Sequence, residues 1–98
     1  MRALGKNFPG FYFKTHGGLF QRVGLPDIIG LHQGRFIGIE VKVPGKKETL
    51  TKKQEQTLEQ IKWAGGIAFM ATSSQEVLTK LKEEFKDERK NKKPQRNM

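Results

Sequence analysis

The chain of 98 residues contains no cysteine. That excludes disulfides, zinc–thiolate sites and thiol nucleophiles together. No apolar run approaches the ~20 residues of a membrane-spanning helix. The opening MRALGKNFPGFYF lacks the continuous apolar core and small-residue cleavage site of a signal peptide. The expectation is a soluble, cytoplasmic protein with no membrane partner. Acidic residues are scarce: 10 Asp and Glu stand against 19 Lys and Arg, a formal net charge of +9, and no acidic residue precedes Asp27. So basic a balance points to a polyanionic partner, most simply nucleic acid, with a merely Lys-rich surface as the plainer account. The length allows one small domain and no second core. The two histidines, His16 and His32, show no metal-ligand spacing. His32 reads as a hairpin-turn residue and His16 as a lone residue at a strand end. Ser73 and Ser74 have no partner base and read as helix caps.

What is present orders itself along the chain. Residues 1–7 resemble the end of a helix, stopped by Pro9–Gly10. FYFKTH, residues 11–16, reads as a strand that Gly17–Gly18 breaks. LPDIIGL and RFIGIEVKV form the two arms of a hairpin about Gln33–Gly34. A polar loop follows, then a helix opened by a Thr51–Gln54 capping box, with Leu58, Ile61 and Gly65 at helical spacing and Gly65–Gly66 as its stop. IAFMAT reads as a short apolar strand, central in its sheet. SSQEVLTKLKEEF reads as a second capped helix, Ser73 with Glu76, presenting Val77, Leu78, Leu81 and Phe85 on one face. Residues 87–98 are expected to be a basic, disordered tail outside a single domain of residues 1–86. The order is therefore (partial α)-β-β-β-α-β-α, an α/β fold on a mixed sheet, with a crossover through the first capped helix.

Three ionisable residues interrupt the hairpin. With Gln33–Gly34 as a two-residue turn, His32 faces Arg35, Leu31 faces Phe36, Ile29 faces Gly38, and Asp27 faces Glu40. Lys42, two residues beyond Glu40, points to the same side. Like charges paired across strands are destabilising. A solvated sheet face with a Glu–Lys pair is one account, worth under ~1 kcal/mol. Acids set directly beside β-branched residues favour another, a hard divalent cation shared by both carboxylates. Mg²⁺ commonly takes one or two carboxylates plus substrate phosphate, and a lysine beside it either orients or activates a water or stabilises charge developing on phosphorus.

PD, twelve intervening residues, then EVK is a Pro-Asp…Glu-x-Lys motif. A Gly-x-Pro-Asp, an Ile-Glu-x-Lys, a Thr-x-x-Gln opening the next helix and an Ala-Gly-Gly before an apolar strand accompany it over residues 21–73. Together these resemble the virus-type replication-repair nuclease (VRR-NUC) domain of the restriction-endonuclease-like superfamily. The resemblance implies a restriction-endonuclease-like fold and a metal-dependent DNA phosphodiesterase using Mg²⁺ or Mn²⁺. It implies Asp27, Glu40 and the Val41 carbonyl as metal ligands, Lys42 as the catalytic lysine and Gln54 as an active-site helix residue. It further implies a homodimer related to Holliday-junction resolvases, phage-encoded or bacterial. One departure stands out. The family usually carries a Glu on its first helix, and this chain has no acid before Asp27, one carboxylate fewer than a two-metal site expects. Glu48 and Glu55 are possible substitutes; a shortened first helix or a misassigned start are the others.

Gln54 has a plainer role as half of the capping box, and the two roles are alternatives for one side chain. Lys14 and Arg22 lie in sequence near the proposed site, and Lys46, Lys47, Lys52 and Lys53 cluster at the start of the capped helix. These are the expected DNA-backbone contacts. No base-reading element is evident, so the expected substrate is branched or junction DNA selected by shape. Two rival readings are a DNA-binding domain of this fold without efficient catalysis, and a nuclease module that needs a partner.

Overall fold

The computed structural model describes residues 2–15, 23–43 and 50–90. Three helices and four strands follow in the order α1 (Arg2–Asn7), β1 (Phe11–Lys14), β2 (Ile28–His32), β3 (Arg35–Val41), α2 (Lys52–Trp63), β4 (Ile67–Ala71) and α3 (Ser74–Lys90). This is the expected α/β order. The strands form one mixed sheet in the order β1-β2-β3-β4, antiparallel except for the parallel β3–β4 pair.

The β2–β3 register is the one the turn dictates. Gln33 and Gly34 take φ of 51° and 81°, the two positive values of a type I′ turn, whose twist matches that of the strands it joins. His32 therefore opposes Arg35, and the pairing runs on to Ile28 opposite Ile39.

Alternation along these strands sorts side chains onto two faces. Ile37, Ile39, Ile67 and Ala71 point toward α1 and α3, where Leu4, Val77, Leu81 and Phe85 complete the main core. The expected stripe on α3 is thus buried, with Leu78 at its margin. Gly38 points the other way, toward α2. A Cβ there would lie 3.0 Å from both Ile61 Cδ1 and Pro26 Cγ.

α2 begins and ends as its sequence specifies. The Thr51 hydroxyl accepts the Gln54 N–H, and the Gln54 side chain accepts the Thr51 N–H. At the other end Gly66 N–H donates to Ile61 O (2.8 Å) and Gly65 N–H to Lys62 O (3.0 Å), with Gly65 at φ 101°. That paired arrangement needs a left-handed residue after the helix, which glycine adopts without a Cβ penalty.

Four expectations are corrected. β4 is an edge strand, paired only with β3 among the described residues. Its apolar sequence reflects helices on both faces, α2 and α3, and Lys80 Nζ donates to the Met70 carbonyl at 2.8 Å, a charged guard of the kind that blunts sheet edges. The α3 capping box is displaced: Ser73 Oγ accepts the Glu76 N–H, but the Glu76 carboxylate returns to the N–H and hydroxyl of Thr72. Those bonds hold the Glu76 carboxyl below its ordinary range. α3 continues to Lys90, past the expected domain boundary at residue 86, while residues 91–98 lie outside the described residues. Finally, His32, beside the hairpin turn as expected, is more than a turn residue. It is buried, bonded through Nδ1 to Pro9 O at 2.7 Å, with its ring edge-on to Phe8 and Phe85. It cements α1 and α3 to β2. His16 lies outside the described residues.

Candidate active site

Asp27 stands just before β2, where proline interrupts the sheet. Pro26 has no N–H to donate, so the regular β2–β3 pairing stops at Ile28. The next position of the ladder is built from side chains instead. Asp27 Oδ2 accepts the Val41 N–H at 2.8 Å. On the other side Thr15 clamps the same segment. Its N–H donates to Asp27 O (2.8 Å) and its hydroxyl to Pro26 O (2.8 Å). Thr15 was not among the residues the sequence singled out. No spacing marks it, since its role depends on β1 lying beside β2.

Glu40 occupies the same end of the sheet, on the face toward α2. It is only 4% exposed. Gln54 Nε2 donates to Glu40 Oε2 at 2.9 Å, and Lys42 Nζ stands 3.8 Å from the same oxygen. Lys42 Nζ also donates to Gln54 Oε1 at 3.4 Å. Burial and the neighbouring Asp27 carboxylate push the Glu40 carboxyl from 4.5 up to about 7, with Lys42 opposing them. The expected acid pair is therefore a contact between side chains and not a rung of the ladder.

The Gln54 side chain bonds the helix cap and the Glu40–Lys42 pair at once. Its carbonyl oxygen faces Thr51 N–H and Lys42, and its amide nitrogen faces Glu40. One side chain carries an acceptor and two donors, so cap and site are satisfied together. Gln54→Ala is expected to cost about 1 kcal/mol of stability through the cap. The same change removes the amide that joins Glu40 and Lys42; urea unfolding reads the stability cost.

The donor set fits a hard divalent cation. Asp27 and Glu40 offer carboxylate oxygens, the ligand type that Mg²⁺ and Mn²⁺ prefer, and a positive ion would offset the burial and the Asp27 repulsion that together raise the Glu40 pKa. No cluster of three or more His, Cys, Asp or Glu occurs among the described residues. Glu55 lines the outer side of α2 with Gln56, Glu59 and Trp63, so it does not replace the missing acid. Glu48 lies outside the described residues.

The cations divide. Lys52 and Lys53 are exposed on the first turn of α2. The Lys53 stem packs on Gly24, where φ is 87° and a Cβ would come within 2.7 Å of Lys53 Cγ. That contact ties α2 to the Pro26–Asp27 segment. Lys14 is not brought to the acids. It shares its cross-strand row with Ile28 and Ile39, the row that faces α1 and α3. Arg22, Lys46 and Lys47 lie outside the described residues. No described helix is long and apolar enough to cross a membrane. Set against protein-family models, curated proteins and solved structures, the chain matches none of them.

Proposed function

We propose that this chain is a Mg²⁺- or Mn²⁺-dependent DNA endonuclease of restriction-endonuclease-like fold, acting on branched or junction DNA as a homodimer. The observation that carries the reading is the convergence of Asp27, a buried Glu40, Lys42 and Gln54 on one end of the sheet. A structural ion pair needs no second carboxylate, and burying Glu40 beside Asp27 costs stability that Lys42 offsets only in part.

Asp27, Glu40 and the Val41 carbonyl would hold the cation, which when bound supplies positive charge at the phosphate and acidifies a water. The protein's own part is positional. The Val41 N–H and the Thr15 clamp fix Asp27. Gln54 orients both Glu40 and the Lys42 ammonium. Lys42 sets a positive charge where the phosphate develops negative charge. Lys52 and Lys53 offer backbone contacts beside it, which carry no sequence information.

The test is incubation of labelled junctions with the purified chain and Mn²⁺. Wild type is expected to cut, and Asp27→Asn to lose both cleavage and the calorimetric Mn²⁺ signal. Equal cutting by the two would sink the assignment. The site joins two carboxylates, with no group of three or more among the described residues, and that favours a second reading, a DNA-binding domain of this fold without efficient catalysis. Junction binding with no cleavage under any divalent metal would select it.

A further inference from the structure

The face of the sheet that carries the acid pair is only half covered. α2 packs on β3 and β4, and among the described residues no helix packs on the β1–β2 half of that face. Two cross-strand rows lie on it. Phe11, Leu31 and Phe36 form one, and Phe13, Ile29 and Gly38 the other. Asp27 and Glu40 follow next along the same strands. At two residues per row these rows stand about 14 and 7 Å from the acids. Phe11, Phe13, Leu31 and Phe36 are 66%, 44%, 48% and 41% exposed, and the Phe11 and Phe13 rings lie 5.8 Å apart. Three exposed phenylalanines on one sheet face are costly in water and have no role in the core.

We propose that this face is a stacking platform for the unpaired bases of a single-stranded nucleic-acid segment leading to the acid pair. The proposal deepens the nuclease reading and rests on it for what the strand is delivered to. Charge and area decide the occupant. A chain of net charge +9 attracts a polyanion. Side chains of this size span at most about 200 Å² each; roughly half exposed, the four offer about 400 Å², half of the ~800 Å² that one partner gives to a standard protein interface. Bases need far less, and aromatic rings on a sheet accept any base because every base has a π-face. Lys52 and Lys53 at the acid end supply backbone contacts for the same strand.

The test is fluorescence anisotropy with the full chain, no divalent metal, and a labelled oligothymidylate of about ten nucleotides beside a blunt duplex of equal length. Phe11→Leu and Phe13→Leu keep the apolar surface and remove the ring. Each is expected to weaken single-strand binding about tenfold and to leave duplex binding unchanged. Phe13→Trp, which keeps a ring, should bind as wild type or better. Unchanged single-strand affinity in both leucine variants overturns the proposal. So does wild type that ignores the oligonucleotide while Phe11→Glu splits a sedimenting dimer, the result expected if a second copy covers the face. Because metal is omitted, failure of the metal site leaves this affinity intact, and failure of the platform leaves the Mn²⁺ titration intact.

Discussion

Glu40→Gln is expected to make the protein more stable at pH 8 and inactive as a nuclease. The carboxyl titrates near pH 7 in the folded chain and near 4.5 when unfolded. Between those values the folded state holds the extra proton, so stability is full below about pH 4.5 and declines as pH rises through 7. A shift of that size corresponds to at most about 3 kcal/mol above pH 7. Gln has the same shape, still accepts from Gln54, and carries no charge, but it forfeits the attraction of Lys42. The net gain at pH 8 should be about 1–2 kcal/mol, or a rise in Tm on the order of 5–10 °C. At pH 4 wild type and variant should melt together, because Glu40 is then neutral in both states. Thermal unfolding across that range reads the difference.

On the proposed reading, the same substitution removes one of the two carboxylates that would hold the cation. Cleavage should drop on the order of a thousandfold, the equivalent of several kcal/mol of transition-state stabilisation. Wild type should gain stability on adding Mn²⁺ and release a proton as it binds near pH 6–7; the variant should do neither. A variant that is no more stable and still cuts would mean that Glu40 is an ordinary structural acid. A variant that gains stability and loses metal would show that the site is held in a strained state for function.

Leu81→Ala is expected to bring the chain close to unfolding. Leu81 is fully buried at the centre of the α3 stripe, between Val77 and Phe85, against Ile37, Ile39 and Ile67 of the sheet. Leu→Ala in a packed core costs about 2–5 kcal/mol, rising with the cavity left behind. A domain of this size has roughly 5–15 kcal/mol in total, and small ones sit at the low end. α3 is long, but its outer face is charged, so its attachment depends on this one stripe. Urea unfolding should show the midpoint falling sharply with an unchanged slope. A cost below about 1 kcal/mol would mean that α3 is not docked through Leu81.

These two predictions draw on different kinds of legibility. The α3 stripe is written in the sequence, because helical periodicity is local and a buried face must recur every three to four residues. The Thr51–Gln54 cap, the Gly65–Gly66 stop and the Gln33–Gly34 turn are local for the same reason. Once the turn type is fixed, the pairing of Ile29 with Gly38 follows by counting. Even the proximity of Asp27 to Glu40 follows, because both lie within one hairpin.

Other features depend on contacts between segments far apart in the chain, which no local pattern encodes. Apolar IAFMAT reads equally well as a central strand or as an edge strand covered on both faces; only the positions of α2 and α3 decide. His32 looks like a turn residue until Phe8 and Phe85 close over it. Lys14 is near Asp27 along the chain but faces the opposite side of the sheet. Thr15 gains its role only because β1 is the neighbour of β2, and Gln54 serves cap and site at once only because α2 settles over Glu40. The exposed Phe11, Phe13 and Phe36 are of the same kind, since which aromatic residues the helices leave uncovered is a property of packing. The sequence by itself determined the elements, the hairpin register and the identity of the two acids, since each is set within a few residues or one turn. The tertiary structure alone decided which face each charge occupies, what buries Glu40 and what stays open beside it, because burial and charge proximity are set by surfaces meeting in space.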